Sequence, residues 1–239
     1  MMRTVRERGT WRARIRLSVF LGTALLALGI IASGAWAVFQ PIGATDDAYT
    51  GGSGGLTYTM DQGDRPSFAN GGANQHNVTA RQNGPDKRPL FGTPTLNGGQ
   101  QATLDGSQYL PAGSYTFFCT IHPTTMQATL VVTGNGTPQA RPTATLTLRT
   151  KKIAKALKKG INVALNTSAK VDDVSLVAKL GKATIGRSSD LSLAQGQVFE
   201  TIKLSKSGKS KLRGKRKATV TVTADIPFGS PATAKAKLK

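Results

Sequence analysis

The sequence predicts an all-β protein of two β-sandwiches in series, preceded by one apolar helical segment. Three observations lead there. Between residues 57 and 133, apolar residues recur at period two in short runs broken by Gly, Pro, Asn and Asp, the pattern of half-buried strands. Residues 143–239 repeat the pattern with a lysine-rich polar face. The parts also differ in charge: of the net +20 of this 239-residue chain, residues 140–239 carry +17 and residues 40–139 carry −2. At this length two modest cores are a better expectation than one large core.

Residues 1–39 carry six Arg against Glu7, and the arginines precede an uncharged run from 17 to 39. Positive charge before an apolar segment keeps the N-terminus in the cytoplasm and sends the following chain across the membrane. The run is long enough for a span of about 20 residues. Ala35-Trp36-Ala37 also has the small-x-small form of a cleavage site. A signal-anchor and a cleaved signal peptide both remain open, so the chain is expected to be extracytoplasmic, either membrane-anchored or secreted. Residues 40–56 include Gly51-Gly52-Ser53-Gly54-Gly55 and read as a flexible linker.

In the segment 57–133, Tyr115, Phe117 and Cys119 alternate with Thr116, Phe118 and Thr120, after a turn at Pro111-Ala112-Gly113. The cysteine therefore shares a strand face with two aromatics. Ala128, Leu130 and Val132 form a second alternating run. Cys119 ends one strand and Met126 borders the next. A loop of six residues between them can bring its side chains together at one end of a sandwich.

That loop concentrates the soft-ligand chemistry of the chain. Cys119 is the sole cysteine, and His76 and His122 are the only histidines. An exported protein that uses cysteine structurally uses it in pairs. A single thiol asks for another role, and ligation to a metal is one. A thiolate, two imidazoles and a weak axial thioether from Met126 are the donor set of a mononuclear blue-copper site.

The segment from about 57 to 133 resembles the plastocyanin, amicyanin and pseudoazurin group of small blue copper proteins, the cupredoxins. The matching pieces are Gln62-Gly63-Asp64, Gln75-His76-Asn77-Val78, Pro111-Ala112-Gly113-Ser114-Tyr115-Thr116-Phe117 and Cys119-Thr120-Ile121-His122-Pro123. The resemblance implies a Greek-key β-sandwich holding one type 1 copper, with His76, Cys119 and His122 as equatorial ligands and Met126 as the axial one. It also implies that the Asn77 amide donates a hydrogen bond to the Cys119 sulfur. By the same analogy, Pro123 belongs to an apolar collar around His122, the histidine through which electrons leave. This sequence places three residues between His122 and Met126, whereas the family usually has two or four.

Other chemistries fit the same residues less well. A cysteine hydrolase sets its nucleophile at a helix N-terminus, whereas Cys119 ends an aromatic strand. Zinc could take the cysteine and both histidines with an open fourth position, but a neighbouring thioether suits copper better. Copper storage or delivery without electron transfer uses the same ligands and stays open beside an electron carrier. A carrier of this kind is not an enzyme, and its partners are redox proteins.

Residues 134–142 read as a linker, and strands are expected at 143–149, 161–165, 174–180, 197–204 and 218–224. Segments 153–160 and 206–213 read as helical turns or charged loops. An immunoglobulin-like sandwich accounts for about 100 such residues. The part loosely resembles the Lys-rich β-sandwich repeats of secreted actinobacterial proteins. Its charge suits a solvated surface or attachment to anionic cell-wall polymers or lipid headgroups, with Lys209, Lys211, Arg213, Lys215, Arg216 and Lys217 the densest patch. Export places nucleic acid last among its partners.

Overall fold

The protein is seen in a computed structural model that describes residues 41–52 and 56–239. It is all-β, with sheets stacked as two sandwiches. The first has one sheet in the order β2 (Ala48–Thr50), β1 (Ile42–Thr45), β4 (Ser67–Asn70), β6 (Gln101–Thr103), and a second in the order β3 (Thr57–Gln62), β8 (Gln127–Gly136), β7 (Gly113–Phe118), β5 (Thr79–Ala80). β1 pairs with β4 in parallel, as does β3 with β8; the other pairs are antiparallel. Tyr58, Phe68, Phe91, Phe117 and Leu130 are fully buried in one core.

The chain passes from the second sheet to the first across residues 63–66. Gly63 has φ +90°, and a Cβ there would lie 2.6 Å from the Thr137 carbonyl oxygen, so glycine is required. Pro66 comes just before β4, where it removes no ladder hydrogen bond.

Two linker expectations are corrected. Residues 42–50, read as tether, are β1 and β2, joined by the two-residue turn Asp46-Asp47 with Thr45 paired to Ala48. Ile42 and Ala44 in β1 and Tyr49 in β2 are buried, an alternation too short to stand out beside the glycines that follow. Residues 134–136 continue β8, and the Gln139 amide donates to the Gln108 carbonyl at 2.8 Å, which ties the expected second linker to the first sandwich.

The second sandwich has a three-stranded sheet, β13 (Gly196–Ile202), β10 (Ile161–Thr167), β9 (Ala144–Leu148), and a four-stranded one, β12 (Ala183–Leu193), β11 (Val171–Leu180), β14 (Ala218–Asp225), β15 (Ala232–Leu238). The five expected strands form, with shifted ends. β12 and β15 were not expected. β12 carries Gly186, Ser188, Ser189 and Asp190 and shifts register against β11, while β15 alternates Ala with Lys or Thr, a weak apolar signal. In the constant-type immunoglobulin arrangement the fourth strand joins the sheet of the first two; here β12 pairs with β11 instead. The two ambiguous segments are helices α1 (Ile153–Lys159) and α2 (Lys206–Leu212), and the Ser205 hydroxyl caps α2 by accepting from the Gly208 amide at 3.0 Å.

The sandwiches meet at the loop after β14. The Phe228 amide donates to the Asp86 carboxylate at 2.7 Å, Arg88 pairs with Asp225, and the Phe228 ring packs 5.9 Å from that of Tyr109. Among the described residues no helix is long and apolar enough to cross a membrane. The expected anchor or signal at 1–39 lies outside them.

Candidate metal centre

β7 and β8 form a hairpin whose alternation puts Phe117 in the core and Cys119, one residue past the strand, on the same face. The Cys119 amide donates to the Met126 carbonyl at 3.1 Å and the Met126 amide to the His122 carbonyl at 3.0 Å. The loop is thereby closed at its base and across its far side. Cys119 and Met126 are both fully buried, and His122 projects from the loop at 23% side-chain exposure.

His76 arrives from the segment after β4. Its amide donates to the Leu96 carbonyl at 3.1 Å and its carbonyl accepts from the Leu96 amide at 2.8 Å. Both histidines turn Nδ1 towards the cysteine: His76 Nδ1 and His122 Nδ1 each lie 4.0 Å from Cys119 Sγ. The two rings are 5.1 Å apart at their centroids, and one ligand atom from each of the three residues lies within 4.8 Å of the others.

This spacing fits an ion. Bonds of about 2.3 Å to thiolate and about 2.0 Å to imidazole nitrogen, set 120° apart, separate the ligand atoms by about 3.7 Å. His76 is fully buried, and its Nε2 has no hydrogen-bond partner. A buried polar group left so costs about 1–3 kcal/mol, so the ring is held by its surroundings and not by a bond at Nε2, with Nδ1 left facing Cys119. Burial, and then the neighbouring His122, lower the pKa of His76, against a smaller pull from Asp47 and Asp46. The shift favours the neutral ring, the form that binds metal.

Asn77 locks the two ligand segments together. Its side-chain oxygen accepts from the Thr120 amide at 2.9 Å, and its Nδ2 donates to the hydroxyls of Thr120 at 2.7 Å and Thr95 at 3.0 Å. The residue after His76 is thus clamped to the residue after Cys119. The Tyr49 hydroxyl donates to the Asn77 carbonyl at 2.6 Å, and burial, chiefly, raises the Tyr49 pKa, so it remains a donor.

Pro123 and Ile121, on either side of His122 in the sequence, are both exposed. Asp47 Oδ1 lies 3.2 Å from His122 Nε2. Asp47, Tyr49 and Thr120 are site residues that the sequence reading did not single out. The one available signal was the Asp-Asp turn between two short apolar runs, because two-residue hairpin loops favour Asp, Asn and Gly.

No family model matches the chain, and no curated protein does. Among solved structures, a reduced variant of amicyanin is 24% identical over 38% of this chain and 78% of its own, with a TM-score of 0.32. An oxidised amicyanin variant is 22% identical over 39% and 80%, with a TM-score of 0.32. A purple cupredoxin from Nitrosopumilus maritimus is 22% identical over 35% and 84%, with a TM-score of 0.27.

Proposed function

We propose that the chain is an exported mononuclear copper protein of the cupredoxin kind, carrying single electrons between redox proteins at the outer face of the membrane. The observation that carries this is the pair of imidazole nitrogens, each 4.0 Å from the only thiol of the chain. His76, Cys119 and His122 are the equatorial ligands. Met126, buried and hydrogen-bonded through its backbone to both Cys119 and His122, is the axial one. Bound copper supplies a one-electron couple between its two oxidation states.

The chain's own residues suit transfer more than storage. The Asn77–Thr120 clamp and the closed loop hold the ligands in place, so both oxidation states meet nearly one geometry and little rearrangement accompanies each electron. His76 is sealed in the core, whereas His122 reaches the surface and gives the electron its way out. Redox cycling separates transfer from storage. A carrier is expected to keep its copper through repeated reduction and reoxidation in the presence of a copper(I) chelator; loss of the metal on the first reduction favours storage or delivery.

The second sandwich is proposed to hold the protein to anionic envelope polymers or lipid headgroups. α1 packs against α2, which brings Lys155, Lys158 and Lys159 together with Lys206, Lys209 and Lys211, all exposed. Residues 151–160 and 203–217 contain no acid, and none of their cations is among the ion pairs of the described residues. A cation near an anionic surface contributes about 1 kcal/mol. Replacing Lys155, Lys158 and Lys209 together by Gln is then expected to weaken binding to anionic vesicles on the order of 100-fold at low salt. Copper binding should not change. Equal binding by wild type and triple variant sinks this part of the reading.

A further inference from the structure

The turn between β1 and β2 reaches into the metal centre. Asp46 and Asp47 are its two central residues, and both have positive φ, 41° and 66°. Two-residue turns of this hand favour Asn-Gly or Asp-Gly, because glycine adopts positive φ without strain. A side chain kept in such a position points to a use for it. Here Asp47 Oδ1 is engaged twice: it lies 3.2 Å from His122 Nε2 and accepts from Asn74 Nδ2 at 3.0 Å.

Asn74 is itself held. Its carbonyl accepts at 2.7 Å from Nδ2 of Asn70, a buried side chain that also donates to the Leu96 carbonyl at 3.0 Å. That same carbonyl accepts from the His76 amide. One polar network therefore joins the backbone of the inner histidine to the outer edge of the exposed one.

We propose that Asp47 is a positioning residue for His122: its carboxylate holds the Nε2 proton, which leaves the lone pair on Nδ1, facing Cys119. A neutral imidazole has one donor and one acceptor nitrogen, and a carboxylate only accepts, so the contact selects a single tautomer and a single ring orientation. A carboxylate behind a ligand imidazole also raises its basicity, which strengthens the bond to the more highly charged oxidised ion and lowers the potential. This consequence rests on the copper reading; the tautomer does not.

The test uses the full chain and the variants Asp47→Gly and Asp47→Asn. Glycine removes the carboxylate while suiting the positive φ, so the turn is kept and the melting temperature of the metal-free variant should hold or rise. Nitrogen-15 NMR of metal-free protein at about pH 8, above the ordinary histidine value of about 6.5, is expected to show only the Nε2–H tautomer of His122 in wild type and a mixture in Asp47→Gly. Copper(II) affinity should fall 10–100-fold in Asp47→Gly, with a raised potential; Asp47→Asn, which keeps an acceptor oxygen without the charge, should fall between. An Nδ1–H tautomer in wild type, or the same tautomer and affinity in wild type and Asp47→Gly, overturns the proposal. If wild type binds no copper and the tautomer still shifts in Asp47→Gly, the positioning role stands and the copper reading fails.

Discussion

Replacing Cys119 by serine is expected to leave the chain folded and to remove the visible colour that a thiolate–copper(II) centre would give the wild-type protein. Cys119 is fully buried and serine nearly matches it in size, so the packing of the loop survives. The cost of burying a hydroxyl with a poor partner is about 1–3 kcal/mol, within the 5–15 kcal/mol typical of a domain. The chemistry does not survive. A thiolate is a soft, charged donor suited to copper, whereas a hydroxyl stays protonated at neutral pH and is harder. The variant is therefore expected to lack the intense thiolate-to-copper charge-transfer band and to bind copper(II) far more weakly through its two histidines. Absorption spectra with copper quantitation on both proteins make the comparison. An unchanged band in the serine variant would remove the sulfur from the centre.

Phe117→Ala is expected to be the most damaging change in the first sandwich. The ring is fully buried and packs edge-on or tilted against Tyr49 at 5.1 Å, Tyr58 at 5.8 Å and Phe91 at 6.2 Å. Deleting such a side chain costs about 3–5 kcal/mol. The loss should also reach the metal, because Phe117 supports Tyr49, whose hydroxyl holds Asn77 and through it the loop at Thr120. Phe118 provides the control. It faces the other side of β7, partly exposed, with the Arg81 guanidinium 4.6 Å over its ring, and Phe118→Ala should cost much less. Thermal melts of the two metal-free variants check this; equal losses would contradict the assignment of faces.

The cluster of His76, Cys119 and His122 was legible in the sequence because scarcity singled its members out. A chain with one cysteine and two histidines offers few ways to build a soft site, and Cys119 ends a strand whose alternation is plain. Strands β7, β8 and β14 were legible because large or β-branched residues recur on their inner faces at period two, Tyr115 and Phe117 in β7, Leu130 and Val132 in β8, Val220 and Val222 in β14. β1 and β2 were not. Their core contribution is Ile42, Ala44 and Tyr49, three residues placed just before a glycine run that reads as tether, and β4, which pairs with β1 in parallel, begins at Ser67 beyond that run. β15 was missed because alanine marks its inner face, and β12 because bulges break its period. Asp47 could not be found as a site residue without β1 and β2, for only their pairing carries it to His122. The missed pieces are thus the ones whose meaning depends on contacts between distant segments.

The same dependence explains the role of Asn77. The sequence places it next to His76, but its side chain works on Thr120, 43 residues away, a contact that forms only once both segments reach the same end of the sandwich. Asp47 reaches His122 from the turn between β1 and β2, and Asn77 ties the segment of the inner histidine to the loop at Thr120, so the segments of both histidines are fixed by contacts between distant parts of the chain.

Titration of the metal-free chain with copper(II), followed by visible absorption, reads the proposed thiolate–imidazole centre itself. An intense band near the red end should grow until one copper is bound per chain and vanish on reduction. Copper bound without that band, or a band that the His76→Ala and His122→Ala variants leave intact, would contradict a centre built from His76, Cys119 and His122.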